Sequence, residues 1–116
     1  MISDVRAYLA DTLATAGMRV PVHMYPPSSP VPPFAAILPG YPYLTAPTLG
    51  ERRAVGLEVH LVTSGNAQQS LDGLIEDTFA ALTPTPVVVG DVAPPTFDPD
   101  TATLTARVPV TIHWED

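Results

Sequence analysis

A chain of 116 residues with 15 prolines, five arginines, no lysine, twelve acids and a formal net charge of −7 has room for one domain around one core and none for a two-domain enzyme. With no cysteine, disulfide scaffolds, thiolate zinc sites, iron–sulfur clusters and thiol nucleophiles are excluded, and the acidity opposes adsorption to nucleic acid or to an anionic membrane. Leu, Ile, Val and Phe fill 31 positions, about 27% and above the roughly 20% under which chains stay disordered, so a packed fold is expected.

Val5, Leu9, Leu13 and Ala16 recur at helical spacing over residues 3–16. Ser3 is a candidate N-cap, Asp4 suits the helix dipole, and Gly17 is a stop signal. The first turns lack the basic-then-apolar order of a secretion signal, and no apolar run approaches ~18 residues; a protein made and used in soluble form is expected. Val20–Tyr25 alternates as a short strand that Pro21 confines to an edge or a strand start. Nine prolines then fall between Pro21 and Pro47. The run 26–33 lacks the amide donors of a central strand and reads as a stiff connector. Phe34–Leu38 is a strand bounded by Pro39-Gly40, and residues 40–53 form a second long loop.

Residues 54–63 place Val55, Leu57, Val59 and Leu61 on one face and Gly56, Glu58, His60 and Val62 on the other, so one face is buried. A helix follows from about Ala67 to Leu82, with Leu71, Leu74, Ile75, Thr78, Phe79 and Leu82 on one side, Asn66 as a cap and Pro84 as the terminator. Pro86–Val92 is a short strand, and Asp98-Pro99-Asp100 lies in a loop. From Ala102 a final strand sets Leu104, Ala106, Val108, Val110, Ile112 and Trp114 against Thr103, Thr105, Arg107, Pro109, Thr111 and His113; Pro109 argues for an edge or a bulge. The expected fold is α+β: one mostly antiparallel or mixed sheet of about five strands with two helices on one face. Residues 1–116 form one unit, with Pro-rich loops at 26–33 and 40–53.

Glu58/His60 and His113/Glu115 are the clustered titratable groups. Period-two spacing aims each pair to one side, and on neighbouring strands the four would make a zinc or general-base constellation. The alternative is a solvated sheet face on which Glu58, His60, Arg107 and His113 form cross-strand polar pairs. No P-loop, nucleophile elbow, dinucleotide fingerprint or HExxH occurs, so no catalytic residue, cofactor site or metal site is assigned and a non-enzymatic role is expected. Arg52-Arg53, in the second loop, suits bidentate contact with an acidic neighbour. The proline-flanked aromatics Tyr25, Phe34, Tyr41 and Tyr43 have little entropy to lose on docking. Pro26, Pro27, Pro32, Pro33, Tyr41, Tyr43, Arg52 and Arg53 are therefore the candidate interface residues.

In size, in element order and in the strand-to-helix passage from Leu57 to Leu82, the chain resembles the tail terminator (tail-completion) proteins of long-tailed, siphovirus-type bacteriophages. The resemblance implies a structural virion protein of the tail–neck region, assembled in the host cytoplasm. It also implies a ring of six subunits that sits on the last ring of tail-tube protein, stops its growth and meets the head–tail connector. Encapsidated DNA would pass through without specific binding, and no membrane is involved. Closure of such a ring depends on the rotation between neighbours. The alternatives are another neck protein (a head–tail connector or stopper), a small metal-dependent enzyme using the histidines, and an acidic stand-alone binding module. Absent lysine with 14 alanines and 15 prolines suggests a GC-rich genome.

Overall fold

The computed structural model describes residues 2–28, 31–45, 52–65 and 67–115. The elements run α1 (Ile2–Thr15), β1 (Val22–His23), β2 (Phe34–Thr45), β3 (Arg52–Ser64), α2 (Gln68–Leu82), β4 (Val88–Val89), β5 (Thr96–Asp98) and β6 (Thr103–Glu115). Six strands form one sheet in the order β1-β2-β3-β6-β4, with β5 also paired to β6. This is the expected α+β architecture with one strand more: β5 occupies residues read as loop. The sheet is mixed because β1 runs parallel to β2; the other pairings are antiparallel. The helix α2 carries the chain from β3 to β4, which flank β6.

One core joins both helices to one sheet face. Val5, Leu9 and Leu13 of α1 and Leu71, Leu74 and Leu82 of α2 pack with Ile37, Val55, Leu57, Val59, Leu61, Ala106 and Val108 of the sheet. Because α1 begins at Ile2, Ser3 lies inside the first turn and does not cap it. Gly17 ends the helix at φ +85, donating its N–H to the Ala14 carbonyl at 3.2 Å. In α2 the expected stripe holds except at Phe79, which is 37% exposed. Eight residues beyond Leu71 the helix has turned about 80° past the buried line, and Ala81 takes the inner place. The proposed Asn66 cap lies outside the described residues.

The two proline-bounded segments required correction. Strand β2 does not stop at Pro39-Gly40 but continues to Thr45, and β3 begins at Arg52. Residues 41–45 and 52–53 are thus strand, and of the expected loop only 46–51 remain, outside the described residues. The strand accommodates its prolines by bulging. Pro39 pairs with Leu57 and Leu44 with Val55, so Gly40–Tyr43 of β2 stand opposite the single residue Gly56. This arch needs both glycines: a Cβ on Gly40 would come within 2.9 Å of the Gly56 carbonyl carbon, and one on Gly56 would collide with the Pro42 carbonyl oxygen.

Pro109 sits in β6, which is interior rather than at an edge. Its carbonyl accepts the Gly90 N–H at 2.8 Å and so faces away from β3. The missing amide donor of the same residue lies on that side too, and the β3–β6 ladder keeps all its bonds.

That ladder pairs every position from Arg52↔Glu115 to Ser64↔Thr103. Its 13-residue strands span about 43 Å, whereas helices of 14 and 15 residues span about 21–23 Å. The sheet therefore outruns its helical cover, and the molecule measures 46 × 26 × 25 Å. The overhang is a three-stranded arm made from the ends of β2, β3 and β6.

Thr63 is 1% exposed on the core face, and its hydroxyl has no hydrogen-bond partner. Replacing Thr63 by Val removes a buried, unpaired hydroxyl at nearly constant volume, and thermal or urea unfolding should show a gain of about 1 kcal/mol. Gly56→Ala should instead lower the melting temperature by several degrees, since the Cβ and the arch cannot share the same space.

Candidate interaction surface

The helix-free face of the sheet carries the titratable residues singled out by the sequence, and the strand register decides what they can do together. His60 lies opposite Arg107, and Glu58 opposite Pro109, whereas His113 lies opposite Ala54. Six residues of β6 separate Arg107 from His113, about 20 Å along the strand. The four-residue constellation is therefore not assembled around one point, and the Glu115 side chain lies outside the described residues. Among the described residues no three metal-ligating side chains come together. What the face does carry is a pair within β3, His60 Nε2 donating to the Glu58 carboxylate Oε1 at 2.9 Å, with Arg107 of β6 across from His60 by register; Glu58 faces Pro109 and His113 faces Ala54, so of the expected cross-strand polar pairs the register brings only His60 and Arg107 opposite each other.

Two neighbouring depressions open on this face. One, of about 390 Å³, is lined by His60, Arg107, Thr96 and Asp98, and the other, of about 300 Å³, by Pro32, Phe34, Val62 and Thr101; Thr103 and Thr105 border both. They exist because β5 and the turn at residues 99–102 rise beside β6, while the connector returns to β2 at Pro32-Pro33. Thr101 and Thr103 share a hydroxyl hydrogen bond of 2.7 Å, which ties that turn to the strand below it.

The eight candidate interface residues fall into separate groups. Pro32, half-buried, and Pro33, exposed, lead into β2 at the depressions. Pro26, exposed, and Pro27, half-buried, follow Tyr25 in the connector. Tyr41 is 99% exposed at the arch, and Tyr43 turns back against the core. Arg53 is exposed on the arm. Arg52 pairs by register with Glu115, and its side chain lies outside the described residues. From Arg53 to Val62, nine residues along β3, these groups are about 30 Å apart. They are not one surface.

One residue escaped the sequence reading. Arg6, only 4% exposed, donates from one guanidinium nitrogen to the Met24 carbonyl at 2.9 Å and to the Ile37 carbonyl at 2.7 Å. Its guanidinium carbon lies 4.5 Å from the centre of the Tyr25 ring. Helix α1 thereby clamps the start of the proline connector to β2, and Tyr25 is used within the chain. The signal was present: Arg6 falls at i, i+3, i+7 with Leu9 and Leu13, on the stripe that should be apolar.

No protein-family model matches the sequence, and a search of curated proteins finds no match.

Arg6→Met keeps the aliphatic stem but strands two carbonyls and the Tyr25 face. Chemical denaturation should show a loss of about 2–3 kcal/mol, and limited proteolysis should cut first in the connector at 24–33. A variant as stable and as resistant as the parent would show that the clamp does not hold the connector.

Proposed function

We propose that the chain is a ring-forming tail terminator, a structural virion protein that caps the tail tube of a long-tailed bacteriophage and joins it to the head–tail connector. The observation that carries this reading is the overhang. A small domain whose sheet projects beyond its helices, and whose projecting arm bears exposed Tyr41, Pro42 and Leu44, offers the kind of apolar and aromatic surface that interfaces use. The order of helix, strands, helix and closing strands supports it as well. In this reading the work is steric: copies of the chain close into a ring, six by the family resemblance, and the ring ends tube growth by covering the last tube subunits.

The charge distribution suits a conduit for DNA. Asp4 and Asp11 on α1 and Asp72 and Glu76 on α2 are exposed on the helix layer. Turned toward the bore, they would repel phosphates at short range and keep the duplex from adhering during passage.

Purified protein added to polymerising tail-tube protein should stop elongation and leave a cap of density at tube ends in negative-stain images. Tubes that grow unchanged with bare ends would refute the assignment. Binding to the portal-side connector with no binding to tubes would move the protein to the head side of the neck.

A further inference from the structure

Two features of the sheet have no counterpart among the described residues. At the arch opposite Gly56, Tyr41 is 99% exposed. On the open face, the smaller depression has Pro32, Phe34 and Val62 as its apolar wall and the threonines 101, 103 and 105 as its polar side. Val62 lies six residues from Gly56 along β3, about 20 Å away, so a chain cannot seat its own Tyr41 there.

We propose that Tyr41 of one copy inserts into the Pro32/Phe34/Val62 depression of the next copy, and that this head-to-tail contact builds the ring; the inference rests on the ring reading above. The chemistries match. A phenol ring presents an apolar body to Pro32, Phe34 and Val62 and a hydroxyl tip to the threonines, the division of labour that makes tyrosine a frequent interface anchor. At about 300 Å³ the depression lies at the lower end of small-ligand sites, large enough for one aromatic side chain.

Knob and hole are different surfaces of the molecule, so the contact is heterologous. Repeated, it closes a ring when the rotation between neighbours permits. A two-fold dimer would instead require each copy to offer knob and hole to the same partner.

The test places a photoreactive aromatic, p-benzoylphenylalanine, at position 41 and mixes ¹⁵N-labelled with unlabelled chains in the presence of tail tubes. Irradiation should give mixed-isotope cross-links from position 41 to the peptides containing Pro32–Phe34, Val62 or Thr101–Thr105. Cross-links to other peptides, or none while native mass spectrometry still reports rings, would overturn the contact and leave the ring intact. Chains that never associate, with or without tubes, would overturn both. As a second measurement, Tyr41→Ser should leave the melting temperature unchanged, because the side chain is solvent-exposed in the single chain. It should raise the concentration for half-assembly at least tenfold; unchanged assembly would also overturn the proposal.

Discussion

The structure depends on a mismatch of lengths. β3 and β6 pair over 13 positions, and an extended chain rises about 3.3 Å per residue against 1.5 Å in a helix. Helices of 14 and 15 residues are shorter than such a ladder. The hydrophobic core forms where helices and sheet overlap, from Val5, Leu9, Leu13, Leu71 and Leu82 to the ladder between Val55/Ile112 and Leu61/Leu104, and residues 52–54 and 113–115, with the end of β2 beside them, become arm. The bare arm follows from conserving hydrogen bonds along two long strands while supplying cover for one end.

Local chemistry then decides what the arm presents. Gly40 and Gly56 let two backbones approach more closely than any side chain allows, and the four-residue arch that results turns Tyr41 outward while Tyr43 returns to the core. Toward the other end of β2, Arg6 ties Met24, at the start of the connector, to Ile37. A buried guanidinium served by carbonyls and an aromatic face is satisfied without a carboxylate. Both devices set shape near the ends of the sheet, where the proposed interaction surface lies.

The fold was legible where periodicity is strong. The alternation from Val55 to Leu61 and from Leu104 to Ile112 is strict, and the stripes of Val5, Leu9 and Leu13 and of Leu71, Leu74 and Leu82 are helical, so the α+β order could be read directly. Prolines misled it. Pro39-Gly40 read as a strand end, yet β2 passes it and Pro42 by bulging over Gly56, a long-range fit between two glycines that local sequence does not reveal. The short strand β5 had no alternation to betray it; it pairs with residues 103–105 of β6, on a stretch that β4, paired at 110–111, does not reach. Of the interaction surface, the aromatic–proline composition pointed to Tyr41 and Pro32, but their separation to different ends of the sheet, and the threonine lining of the depressions, emerge only from register. Spacing sets Glu58 with His60 and His113 with Glu115, each pair to one side, and register keeps the two pairs apart.

Hydrogen–deuterium exchange, followed as the protein goes from dilute chain to assembly on tail tubes, tests the central claim most directly: the arm and the helix-free face of the sheet are what the molecule uses to assemble. Residues 40–45 of the arm and residues 32–34 and 101–105 around the depression should gain protection together. Protection confined to the outer faces of α1 and α2, with both sheet ends exchanging as in the dilute chain, would contradict the account.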